Sequence, residues 1–224
     1  MTGTLALVGG GEWTEGCDFD AELLESSGGD EVLILPTAAA YENPQKIVAR
    51  AEEWFGRLGG RVSVLDVLRR SDGLAPDVVE RAAAARFVYL AGGSPMHLRS
   101  VLKDSPLWDA IVSAWQGGAI LAGAAEGATV LSTHMVDSRG GAFTVGLDLL
   151  DTVTVIPRYN LWSEDKWHRT VHLAPKGMTV LGIDERTAVL VDGSGWRAAG
   201  AGSVTAYCDG SRVDLDRVPA LSLS

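Results

Sequence analysis

Residues 119–128, Ala-Ile-Leu-Ala-Gly-Ala-Ala-Glu-Gly-Ala, carry the backbone pattern that presents a nucleophile for acyl transfer, with no nucleophile in it. Ala119 to Ala122 is a short apolar run bounded by Gly117-Gly118 and Gly123, which reads as a buried strand. The spacing Gly123-x-Ala125-x-Gly127 then predicts a sharp strand-to-helix turn whose tip residue is lifted into a site, with Gly127 to Leu131 opening a helix. A hydroxyl or thiol at that tip, with a base and oxyanion donors beside it, would attack a carbonyl carbon. Ala125 holds the tip instead, and a methyl group cannot attack. The expectation is a strained backbone at 125 with the methyl facing a cleft, and no covalent chemistry through this position.

Other chemistry-bearing residues are fewer. Glu164, His168 and His172 fall at i, i+4 and i+8, so one helix face would carry a carboxylate and two imidazoles. Such His pairs bind zinc when further ligands are near. No third ligand beyond Glu164 is identifiable, and the expectation is no metal and no cofactor. His134, after the elbow helix, reads as a surface or cap residue. Cys17 and Cys208 are far apart and form no CxxC, as expected of two ordinary thiols in a reduced, cytoplasmic setting.

The elements that must position the elbow alternate along the chain. Strands are expected at Thr4 to Val8, Glu31 to Leu35, Arg61 to Leu65 and Phe87 to Leu90. Ile47, Val48, Ala51, Trp54, Phe55 and Leu58 fall at helical spacing, and further helices are expected over Asp77 to Ala84 and Pro106 to Trp115. Later strands lie at Val153 to Ile156, Thr179 to Gly182 and Thr187 to Val191, followed by a short antiparallel pair around Ala198 and Val204 to Tyr207. Near-continuous apolar strands separated by helices predict an α/β fold, a mostly parallel sheet covered on both faces.

At 224 residues, 46% hydrophobic and 21% charged, the chain has enough apolar content for one domain over 1–224 with a sizeable core. A net charge of −10 argues against nucleic acid and anionic membrane as partners. The start lacks a basic segment followed by an apolar one, so no signal peptide is expected, and no stretch is apolar enough for a membrane span.

Taken together, the motifs resemble the S51 peptidases, the family of aspartyl dipeptidases (peptidase E) and cyanophycinases, whose fold is like that of class I glutamine amidotransferases. Gly9-Gly10-Gly11-Glu12 resembles the family's first strand end, and Leu90-Ala91-Gly92-Gly93-Ser94 its oxyanion segment. Ala122 to Ala128 resembles its elbow, and Gly182-Ile183-Asp184-Glu185-Arg186-Thr187-Ala188 its late segment near the acidic residue. The resemblance implies a three-layer, flavodoxin-like α/β/α sandwich with the site at the carboxyl ends of the strands. It also implies that Ala125 stands for the serine, Arg158 for the histidine base and Glu185 for the acid. Glu126 replaces a small residue, and Ser94 an aspartate or asparagine. Arg158 stays protonated at any working pH and cannot act as the base.

Arg158 is expected beside Glu126 or Glu185. Either the charges pair and close the old site, or Arg158 and the Gly93 and Glu126 N–H groups form an anion pocket. Trp162 and Trp167, with Tyr159 and Trp13, would line a cavity there or else pack into the core. The first functional reading is an S51-like protein without serine-peptidase activity. It would retain a pocket for a small-molecule or peptide-like ligand among Gly92, Gly93, Ser94, Glu126, Glu12 and Trp162, with a homodimer as an open option. The alternatives are a repurposed enzyme using Glu126, Glu185 or a histidine as acid or base, an engineered Ser-to-Ala form of an active peptidase, and a regulatory partner of an active paralogue.

Overall fold

The computed structural model describes residues 2–221. In chain order the first half runs β1 (Leu5–Val8), α1 (Phe19–Ser26), β2 (Glu31–Leu35), α2 (Pro44–Arg57), β3 (Arg61–Val64), α3 (Pro76–Ala84), β4 (Phe87–Leu90), α4 (Pro95–Leu102), α5 (Pro106–Gln116) and β5 (Ile120–Ala124). A one-turn helix, α6 (Glu126–Thr129), leads to the hairpin β6 (His134–Val136) and β7 (Phe143–Val145). The remainder is β8 (Val153–Pro157), α7 (Glu164–Leu173), β9 (Thr179–Ile183), β10 (Thr187–Asp192), β11 (Gly195–Gly200), β12 (Val204–Cys208) and β13 (Ser211–Val213).

The main sheet has the order β11-β10-β1-β5-β4-β2-β3, with the last five strands parallel and β10 and β11 antiparallel. Alternation along its strands feeds two separate cores. Leu5, Leu7, Leu33, Leu35, Val88 and Leu90 pack with Leu98 of α4 and with Leu107, Ile111 and Trp115 of α5. Ala6, Val8, Val32, Ile34, Phe87 and Tyr89 pack on the other side with Phe19 and Leu23 of α1 and Trp54 and Phe55 of α2. Because successive residues point to opposite faces and both faces are dry, the sheet is the middle of three layers.

Several expectations are corrected. The strands β8 and β9 do not join the main sheet; they pair in parallel within a second sheet of order β13-β12-β9-β8. The closing strands do not pair with each other: β11 folds back on β10, whereas β12 lies against β9. Apolar alternation fixes which face a strand buries but not which neighbour it takes, so both arrangements fit the same pattern. The elbow helix is also shorter than expected, since Leu147 N–H and Thr133 N–H engage the Val130 and Leu150 carbonyls and turn the chain away. Helices α1 and α4 were not expected. Ser94 caps α4 by accepting from His97 N–H at 3.3 Å, with Pro95 at the first helical position.

Among the described residues no helix is long and apolar enough to cross a membrane.

Candidate functional site at the elbow

The carboxyl end of β1 is the hub of the site. Its Val8, Gly9 and Gly10 carbonyls accept N–H bonds from Ala125 at 2.8 Å, Arg158 at 2.6 Å and Arg186 at 2.7 Å. The elbow tip, the end of β8 and the turn before β10 are thus each tied to one of three consecutive residues.

Ala125 has φ +49° and ψ −110°, a conformation outside the ordinary regions for a residue with a Cβ. Neither flanking glycine takes a left-handed conformation itself. A Cβ on Gly123 would lie 2.4 Å from the Gly127 carbonyl oxygen, and one on Gly127 2.5 Å from that of Leu90. They let backbones touch, and the strain falls on Ala125 itself. The methyl does not face an open cleft: Ala125 is fully buried. Its Cβ lies 3.5 Å from the point a Gly10 Cβ would occupy, and Arg158 Cγ lies 3.0 Å from that same point. The Arg158 stem and the elbow tip therefore both lie close to Gly10.

Arg158 sits in a left-handed conformation, φ +49° and ψ +43°, at the end of β8. Its Nη1 donates to Glu126 Oε1 at 2.7 Å and its Nη2 to Oε2 at 3.4 Å. Glu126 Oε2 also accepts the Gly93 N–H at 3.2 Å. Burial works against the charged guanidinium, but the Glu126 hydrogen bond and charge outweigh it and raise the Arg158 pKa, with Glu12 and Glu185 adding through space. Of the two partners considered for Arg158, the structure selects Glu126. The oxyanion-type donor Gly93 N–H already holds a carboxylate, that of the chain itself.

The other expected site residues fall around this pair. Glu12 is buried, its Oε1 3.4 Å from the point where a Gly92 Cβ would lie, and Glu126 Oε2 is 3.3 Å from that point. Two carboxylates thus converge beside the elbow tip. Glu185 is engaged by Asn160, which accepts the Glu185 N–H at 2.9 Å and donates to Oε2 at 3.5 Å. Asn160 was not singled out from sequence, although it is two residues after Arg158. Ser94 is the α4 cap and also lines a cavity of about 450 Å³ with Gly93, Met96, Glu126, Asp137 and Arg139. In its wall, side-chain and backbone hydrogen bonds from Arg139 hold the Asp137 carboxyl below its usual range. Trp162 is not on that wall. It packs with Val136, Ile156, Val171 and Val180, and Lys166 Nζ lies 3.7 Å over its ring. Trp13 is a core residue, edge-on to Tyr89 at 5.2 Å.

Beneath the elbow lies a polar layer that sequence reasoning missed. Asp20 is fully buried, and its Oδ2 accepts from Trp54 Nε1 at 2.9 Å. Among the described residues Asp20 Oδ1, the Tyr89 hydroxyl and Trp13 Nε1 have no protein partner. Burial pushes the Asp20 pKa well above the usual carboxylate value. The available signal was an acid inside an otherwise apolar stripe, between Phe19 and Leu23.

A family model, "Peptidase family S51", matches residues 5–199. This chain belongs to peptidase family S51. Among S51 relatives, the cyanophycinase of Nostoc sp. (strain PCC 7120 / SAG 25.82 / UTEX 2576) is 27% identical over 216 residues, covering 91% of this chain and 72% of its own. The cyanophycinase of Synechococcus elongatus is 26% identical over 219 residues, covering 91% and 67%. A crystal structure of a peptidase from an acI-B1 Actinobacterium aligns with TM-score 0.82 and 32% identity over 95% of this chain and 97% of that one. A putative peptidase E from Listeria monocytogenes EGD-e aligns with TM-score 0.70 at 19% identity over 90% and 100%, a likeness of fold. The S51 fold is therefore present across the chain, with alanine at its elbow tip.

Proposed function

We propose that this S51 member does not hydrolyse peptide bonds through a serine nucleophile and instead binds a small acidic or peptide-like ligand in the cavity beside the elbow. The observation that carries the reading is Ala125 at a fully buried elbow tip, near an Arg158 that is paired with Glu126. Three requirements of acyl transfer fail together. The tip has no attacking atom, the guanidinium cannot accept a proton, and the Gly93 N–H is already engaged by Glu126. Changes at three positions argue against an active peptidase disabled by one engineered substitution. The cavity, about 450 Å³ with polar Ser94, Asp137 and Arg139 in its lining, falls in the size range of small-ligand sites.

The test is turnover of aspartyl dipeptides and of cyanophycin, the substrate class suggested by the relatives' names, by the purified chain and by variants. No turnover is expected from the parent or from Ala125→Ser, and measurable turnover only when Arg158→His is added. Rapid hydrolysis by the parent would overturn the reading, and rescue by Ala125→Ser alone would show that a single substitution had silenced an intact site. Closure of the tip by an internal ion pair also favours the regulatory-partner alternative. That alternative is supported if the chain lowers the activity of an S51 peptidase while binding no small ligand.

A further inference from the structure

The face of α7 that carries Glu164, His168 and His172 takes no part in the elbow. We propose that His168 and His172 form a two-imidazole site for a divalent transition metal of the zinc class. Their Nε2 atoms lie 3.2 Å apart. Two nitrogens bound to one tetrahedral zinc at its usual bond length are about 3.3 Å apart, so the pair already has a chelating separation. The ring centroids are only 4.3 Å apart at an interplanar angle of 66°, so the rings lean side by side rather than meeting end to end. The two ring nitrogens share a hydrogen bond, which a metal would replace by taking both as ligands.

Neighbouring groups hold the rings in this arrangement. Trp167, stacked on Tyr207 at 5.3 Å, presents its ring to His168 at 5.7 Å in an edge-on contact. The turn between β12 and β13 backs His172: a Cβ on Gly210 would lie 3.6 Å from its Cε1 and 3.7 Å from its Nδ1. The Nδ1 edge of His172 thus faces protein, and its Nε2 edge faces His168. The nearby cations point elsewhere. Lys166 Nζ lies over the Trp162 ring and donates to the Ser138 carbonyl. Helical geometry turns Arg169 roughly 100° away from His168.

From sequence, the missing third ligand argued against a metal here. Among the described residues no group of three or more potential ligands is close enough to enclose an ion. The site is accordingly an open one, completed by water, with exchangeable rather than permanently held metal. It is independent of the elbow and stands or falls separately.

The test is calorimetric titration of the full chain, without a histidine tag and stripped with chelator, using Zn²⁺ alone. One site per chain is expected, with affinity reduced about tenfold or more in His168→Gln and again in His172→Gln. Zn²⁺ should also raise the melting temperature of the parent and not that of either variant, since binding to the native state alone stabilises it. Both histidines are exposed, so the variants should fold, and far-ultraviolet circular dichroism checks this. No zinc binding by the parent, or equal binding by parent and both variants, would overturn the proposal.

Discussion

Arg158→Met removes the cation beside the elbow while keeping most of the stem that lies against Gly10. The cost depends on how dry the pair is. Glu126 has a side chain 12% exposed, whereas Arg158 is 36% exposed. Stranding one member of a fully buried pair costs about 3–5 kcal/mol, and breaking an exposed pair about 0–1 kcal/mol. Solvent reaches the guanidinium, and Glu126 keeps the Gly93 N–H at 3.2 Å, so this pair falls between those limits. The expected loss is about 2 kcal/mol, which in a chain of this length lowers the melting temperature by about 4–8 °C. Glu126→Gln, which keeps the shape and leaves Arg158 access to water, should cost about 1 kcal/mol. The double variant should lose less than the two single losses combined, by about 1 kcal/mol, because the pair can be broken only once. Urea unfolding and calorimetry at neutral pH measure all three. Strictly additive losses, or an Arg158→Met melting temperature within about 1 °C of the parent, would refute the ion pair as the closure of the tip.

Two further outcomes follow from the buried polar layer and the oxyanion segment. Burial raises the Asp20 pKa, against the pull of the Trp54 hydrogen bond and with a further push from Glu12, so the native state holds this proton more tightly than the unfolded chain. The stability this gives is complete below about pH 4 and is lost as pH rises. Asp20→Asn should flatten that decline, its stability relative to the parent improving as pH rises above about pH 4, and parallel pH profiles would show that Asp20 is ionised in the fold. A Cβ on Gly93 would lie 2.4 Å from the Ala38 carbonyl oxygen, at φ +143°. Gly93→Ala should cost about 3 kcal/mol or more, and a melting temperature equal to the parent's would contradict the close approach of these two segments.

The elbow was legible in sequence because its constraints are local: an apolar run, then glycines at a fixed spacing around one residue. Where Ala125 would stand could be read, but not that the tip would be buried, because its surroundings come from distant segments. For the same reason the sequence left Arg158 with two candidate partners. Choosing Glu126 requires knowing that β8 ends against Gly9, a contact set by the second sheet. That sheet was hidden because a parallel pair with an intervening helix, as in β8-α7-β9, reads alike whichever sheet it joins. Helix α4 carried a readable start in Ser94-Pro95, a cap residue followed by proline at the first helical position. Asp20 shows the opposite failure: a buried acid looks like a surface residue until its helix face is placed.

The three consecutive carbonyls at the end of β1 have a consequence for how such a site changes over time. Positions 125, 158 and 186 are fastened by main-chain bonds, which do not depend on side-chain identity except where proline would remove the donor. The placement of these three segments is therefore encoded separately from the side chains they carry. Chemistry can be erased from such a scaffold without releasing its geometry, and substitutions at 125 and 158 write onto a frame that is already aligned.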